Sequence, residues 1–146
     1  MKIILLISLL SVLLVAGCTQ QQAITTTTTG PATPTTTSAG AKEVIVEITS
    51  AGFSPNPITI NKGDTVAWLN LDTEDHWPAS ATHPTHIVYP GSGIQKCGTA
   101  EQANIFDACK GLSQGEIYSF VFNEVGEWNY HDHLNPSRFG KVIVQG

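Results

Sequence analysis

Apolar and polar residues alternate along the second part of the chain in short stretches bounded by Gly, Pro and Asn. Side chains alternate across a strand, so Val44, Val46 and Ile48 would share one face of the first stretch. The same pattern recurs in residues 58–60, 65–70, 117–123, 128–131 and 141–145. Such short strands predict an all-β sandwich or barrel. A helical interpretation would place Pro55 and Pro57 inside helices, at a high cost in stability.

Turn sequences separate the predicted strands. Residues 61–64 (NKGD) and 123–126 (NEVG) are rich in turn formers, and we expect them to make antiparallel connections. The predicted core is made by the apolar face of these strands, with Val66, Trp68, Phe120, Phe122 and Val142 as members.

The amino terminus is typical of an export signal. Residues 3–15 are apolar except for two serines, a run too short for a spanning helix of about 20 residues but suited to a secretory signal. The next residues, 15–18 (VAGC), resemble the lipobox of bacterial and archaeal lipoproteins. The resemblance implies removal of residues 1–17 and lipid on Cys18. We therefore expect an extracytoplasmic protein held at a membrane through Cys18; a plain signal peptide or an uncleaved anchor is the alternative.

Residues 18–41 are dominated by Thr, Gln, Pro, Ala and Gly and contain no charged side chain. Such a segment has too little to bury to offset its ordering entropy, so we interpret it as a disordered, flexible linker. Residues 42–146 are then enough for one domain. All the acidic residues lie in this domain, which is more negative than the net charge of −5 of the whole chain. Nucleic-acid binding is therefore disfavoured, because it needs a basic face.

Two segments resemble a known family. Residues 52–70 (GFSPNPITINKGDTVAWLN) look like the amino-terminal half of plastocyanin- and amicyanin-like cupredoxins. Residues 126–132 (GEWNYHD) and 140–144 (GKVIV) look like their last two strands. The resemblance implies a cupredoxin-like Greek-key β-sandwich or barrel over residues 42–146, with a copper ion as cofactor.

The ligand positions depart from that family. A blue-copper site needs a histidine after the Trp68 strand, then a cysteine, a second histidine and usually a methionine. His76 occupies the first position, but an ungapped alignment places Asp132, Asn135 and Arg138 at the other three. The only methionine of the chain is Met1. We therefore expect no thiolate–thioether copper site of the usual kind.

Histidines stand in place of the missing ligands. The YHDH sequence at 130–133 resembles the His-x-His pairs of multicopper oxidases, and neutral imidazole is a good ligand for Cu(II). The sequence predicts a metal site, for copper with zinc as an alternative, whose nucleus is His76, His131 and His133. His83 or His86 would complete or supplement it, and the loop that carries them could point either one away from the metal. Asp132 is a further ligand or a group that orients an imidazole, and Trp77 is expected to pack over the site.

Two cysteines remain once Cys18 is assigned to lipid. Cys97 and Cys109 form an even pair in the 91–115 loop, and in an oxidising compartment we expect a disulfide between them. The alternative, a thiolate ligand to copper, is disfavoured because no histidine lies near either cysteine in sequence.

Three functions follow from these features. The first is a membrane-tethered copper protein that transfers electrons or delivers copper to a redox or copper-trafficking protein partner. The second is a module that buffers or senses copper or zinc without redox chemistry. The third, given less weight, is a copper oxidase or reductase. The trinuclear site that this would require lies between two cupredoxin domains in multicopper oxidases, so a single domain would have to oligomerise. We therefore expect a protein that is not an enzyme.

Overall fold

The computed structural model describes residues 40–146. The predicted signal peptide of residues 1–17, the lipid on Cys18 and nearly all of the predicted linker lie outside the described residues. Within residues 40–146, no helix is long and apolar enough to cross a membrane.

Eight strands form two four-stranded sheets. The strands are β1 (Glu43–Thr49), β2 (Gly52–Ser54), β3 (Ile58–Asn61), β4 (Thr65–Asn70), β5 (Pro78–Ser80), β6 (Ile117–Val121), β7 (Gly126–Asp132) and β8 (Phe139–Gln145). Their order is β2-β1-β4-β6 in the first sheet and β3-β8-β7-β5 in the second. Two short 3₁₀ helices, Ile94–Lys96 and Gln102–Asn104, lie in the long connection between β5 and β6. The all-β prediction is confirmed.

The turns differ from the expectation. The 61–64 turn joins β3 in the second sheet to β4 in the first, and the 123–126 turn joins β6 in the first sheet to β7 in the second. Both turns therefore carry the chain between sheets, and the expected antiparallel pairing of their flanking strands is wrong. The β1–β4 and β3–β8 pairs are instead parallel. Asp64 closes the first turn by accepting hydrogen bonds from the backbone N–H groups of Lys42 and Asn61.

The core lies between the two sheets and is built around Trp68. The indole of Trp68 is fully buried and stacks on Phe106 and Tyr118, at ring-centroid distances of 5.0 and 5.7 Å. Tyr130 of β7 meets it edge-on at 5.4 Å. This aromatic packing fixes β7 against the first sheet, and β7 leads directly into the histidine pair at 131 and 133.

Candidate metal centre

Two segments bring histidines to one end of the second sheet. His131 lies in β7 and His133 follows it directly, while His86 belongs to the loop after β5. That loop is anchored at its base, where the backbone N–H of Tyr89 donates to the Ser80 hydroxyl at 2.8 Å. His86 is placed within the loop by its own backbone N–H, which donates to the Thr82 carbonyl at 2.9 Å.

Three imidazoles converge at this end. His86, His131 and His133 each offer a nitrogen, and these atoms all lie within 4.8 Å of one another. His86 Nε2 and His133 Nδ1 are 3.0 Å apart, and the rings of His86 and His131 have centroids 5.0 Å apart. Three imidazoles so close together are a donor set that suits copper or zinc.

His131 is the most unusual of the three. Its side chain is 4% exposed, and both ring nitrogens are buried without a hydrogen-bond partner among the described residues. A buried polar atom without a partner costs about 1–3 kcal/mol. A metal ion bound at one of these nitrogens would offset that cost, so the residues present fit a bound metal.

The protonation of these rings also suits a metal. Burial, together with the neighbouring imidazoles of His86, His83 and His133, lowers the pKa of His131 to about 4 against the opposing charge of Asp132. Burial and the same crowding lower the pKa of His133. Metal ligation requires neutral imidazole, so His131 remains ready to bind in mildly acidic solution.

These shifts predict an acid-sensitive fold in the metal-free protein. His131 takes up a proton more readily in the unfolded chain, near its ordinary pKa of 6.5, than in the folded one, so protonation favours unfolding. The free energy of unfolding should be greatest above pH 6.5 and fall toward pH 4, by at most about 3 kcal/mol from His131. Urea unfolding in a chelator across this range measures the effect. A His131→Gln variant should show a shallower slope, and an identical slope would contradict this origin.

His83 lies at the rim of the group. Its ring is exposed, with centroid distances of 4.9 Å to His133 and 5.5 Å to His131. A cleft of about 380 Å³ adjoins these rings and is lined by His83, His131, Pro136, Phe139 and their neighbours. The site is therefore open to solvent on the His83 side.

Trp77 packs beside the histidines. Its indole lies 4.4 Å from the His133 ring and 6.2 Å from the His86 ring, measured between centroids. Its Nε1–H donates to Asp107 Oδ1 at 2.6 Å. Asp107 Oδ2 in turn lies 2.5 Å from His86 Nδ1, a contact that the sequence analysis missed. Only the position of Asp107 inside the disulfide loop, two residues before Cys109, could have drawn attention to it.

His76 lies outside the three-histidine group. Its Nδ1 donates to Asp132 Oδ2 at 2.7 Å, and its Nε2 is 3.3 Å from Asp72 Oδ2. The guanidinium of Arg138 lies 3.3 Å from His76 Nε2 and 3.8 Å from Asp72 Oδ2. Both nitrogens of His76 thus have partners in this network, and the group of converging imidazoles contains His86 and not His76. Asp132 orients His76 and is not a member of the group.

The cysteine pair is a disulfide. Cys97 and Cys109 are bonded to each other, with Cα atoms 5.4 Å apart. No thiolate among the described residues is therefore free to reach the histidines.

Comparisons with known proteins point to one family. No protein-family model matches the chain. Amicyanin of Paracoccus denitrificans is 27% identical over 104 residues, 70% of this chain and 65% of that protein. Chloroplastic plastocyanin of Tetradesmus obliquus is 30% identical over 95 residues, 64% of this chain and 58% of that protein. The chain thus spans less than two thirds of the length of either relative.

Solved structures agree with these relatives. A purple cupredoxin from Nitrosopumilus maritimus has a TM-score of 0.53 at 23% identity, covering 69% of this chain and 98% of that one. A reduced Cu(I) form of an amicyanin variant has a TM-score of 0.52 at 25% identity, covering 73% and 83%. The chain has the cupredoxin fold and is similar in sequence to amicyanin and plastocyanin. The resemblance expected from its first and last strands is confirmed.

In this cupredoxin-like domain, an ionic network fills the place of the expected ligands. The alignment set the family's first histidine on His76, its cysteine on Asp132 and its methionine on Arg138, and the structure brings these three side chains together. The three-histidine group lies instead on the other side of β7, because His131 and His133 alternate with Asp132 along the chain.

Proposed function

We propose that this cupredoxin-like domain binds one copper ion through His86, His131 and His133, with His83 at the exposed rim, and that it transfers electrons or hands over copper. The observation that carries the proposal is His131, a buried imidazole with no partner for either nitrogen, inside a group of three histidines. Copper suits such a set because divalent-metal affinity at nitrogen ligands peaks at Cu(II). The copper form of the related amicyanin supports this choice.

Each residue has a distinct part in this proposal. The three buried or half-buried imidazoles would hold the ion, and Trp77 shields one side of His133 from water. His83 and the adjoining cleft leave the other side accessible to a partner. Bound copper would supply a one-electron Cu(II)/Cu(I) couple.

Visible and EPR spectra of the copper-loaded protein test the ligand set. Because the described cysteines are paired and the described residues include no methionine, we expect weak d–d absorption and wide copper hyperfine splitting. An intense thiolate-to-copper band would overturn the proposed ligands. Failure to bind copper, with zinc bound tightly at the same histidines, would favour the non-redox buffering module.

We further propose that lipid on Cys18 holds the domain at a membrane. The lipobox-like sequence before Cys18 supports this, and an extracytoplasmic location agrees with the disulfide. A Cys18→Ser variant should move from the membrane fraction to the soluble extracytoplasmic fraction, with its copper content unchanged. Cell fractionation with immunoblotting measures this. Complete retention in the membrane would contradict the anchor.

A further inference from the structure

Asp107 is a buried carboxylate in direct contact with one of the proposed ligands. Its side chain and that of His86 are both fully buried, and Asp107 Oδ2 lies 2.5 Å from His86 Nδ1. A carboxylate only accepts hydrogen bonds, so His86 Nδ1 carries the proton and donates it. The other ring nitrogen, Nε2, is the one that lies 3.0 Å from His133.

A hydrogen-bond network besides the contact with His86 holds Asp107 in place. Its Oδ1 accepts from Trp77 Nε1–H at 2.6 Å and from the backbone N–H of Cys109 at 2.8 Å. Its own backbone N–H donates to the Tyr118 hydroxyl at 2.7 Å, and that hydroxyl donates to the Ile105 carbonyl at 3.0 Å. The disulfide joins Cys109 to Cys97 and closes the loop that carries Asp107.

The carboxylate is ionised despite its burial. His86, Trp77 and the backbone of Cys109 each direct an N–H at its two oxygens, and a carboxylate accepts all three without a proton of its own. An ionised acceptor beside Nδ1–H makes the opposite nitrogen a better electron donor to a metal.

We propose that Asp107 is the positioning residue of the metal centre, which fixes the tautomer of His86 so that Nε2 faces His131 and His133. This inference rests on the proposed copper site. Nothing equivalent supports His131, whose nitrogens have no partner among the described residues. His86 is therefore the proposed ligand whose ring orientation is fixed before a metal binds. It lies in a loop, where side chains are positioned less precisely than on a strand, so the hydrogen bond to Asp107 matters most there.

Asp107→Asn tests the proposal with little change in shape. The donors Trp77 and Cys109 should keep the amide oxygen of the asparagine on their side, which turns the amide N–H₂ toward His86 Nδ1. The proton of His86 should then move to Nε2, the atom that would bind the metal. Copper affinity, measured by competition with a chelator, should fall about 10–100-fold. Asp64→Asn is the matched control, since it changes a buried carboxylate whose hydrogen bonds go to the backbone of Lys42 and Asn61, and its copper affinity should equal that of the unmodified protein.

The tautomer is measured separately from metal binding. Nitrogen-15 NMR of the metal-free protein should show His86 protonated at Nδ1 in the unmodified protein and at Nε2 in Asp107→Asn. A proton on Nε2 in the unmodified protein would overturn the proposal, even if the variant did not fold. Unchanged copper affinity in a folded Asp107→Asn variant would overturn it as well. If the unmodified protein binds no copper, the proposed function fails, and the NMR result still decides the role of Asp107 in orienting His86.

Discussion

Replacing His131 with alanine should abolish copper binding at the proposed site while leaving the domain folded. The substitution removes a direct ligand. Copper affinity should therefore fall by more than the factor of about 10–100 that is expected when a ligand loses its hydrogen-bond partner. It also removes two buried nitrogens that have no partner among the described residues. The metal-free variant should therefore be as stable as the unmodified protein or more so at pH 7, because little hydrogen bonding is lost.

Calorimetric titration with copper, paired with urea unfolding of the metal-free form, measures both parts of this prediction. His133→Ala and His86→Ala should also bind copper far more weakly. His76→Gln is the control, because His76 lies in the separate network with Asp132 and should not affect affinity. Strong loss in His76→Gln with unchanged affinity in His131→Ala would move the site to the position that the family alignment suggested.

The fold was predictable because its strands are amphipathic. Val46, Ile48, Val66 and Trp68 are all fully buried, as the alternation of apolar and polar residues in β1 and β4 indicates. The short strands β2 and β5 were missed because each has three residues, too few to show a period. Strand pairing was mispredicted because a turn sequence shows where the chain reverses but not which sheet it enters next.

The histidine site was predictable only in part. The pair at 131 and 133 could be found because it ends a recognisable strand. His76 was favoured over His86 because it stands at the family's first ligand position. The sequence does not reveal that Asp132, at the position where the resemblance places the family's cysteine, contacts His76, which lies apart from the three-histidine group. His86 depends on a loop and on Asp107, 21 residues further along the chain, and such a contact leaves no local pattern.

The network around His76 should be a major source of stability. Asp132 is fully buried, and its Oδ1 accepts from the backbone N–H groups of Trp77 and Leu134 at 2.9 and 3.1 Å. Its Oδ2 accepts from His76 Nδ1. Asp132→Ala would leave these three donors without their acceptor and the buried His76 without its charged partner. Each buried donor left without an acceptor costs about 1–3 kcal/mol, so three of them predict a loss of at least about 3 kcal/mol.

Urea unfolding of the metal-free protein should therefore show a fall of at least about 3 kcal/mol in the free energy of unfolding of Asp132→Ala. Asp132→Asn should fall between this variant and the unmodified protein, because its amide oxygen still accepts from Trp77 and Leu134. Glu127→Gln, which changes an exposed pair with Lys141, should stay within about 0.5 kcal/mol. A loss below about 1 kcal/mol in Asp132→Ala would contradict this account. Such a small loss would mean that the network of His76 and Asp132 does not hold the segment that carries His131 and His133. Backbone pairing of β7 with β5 and β8 would then hold it.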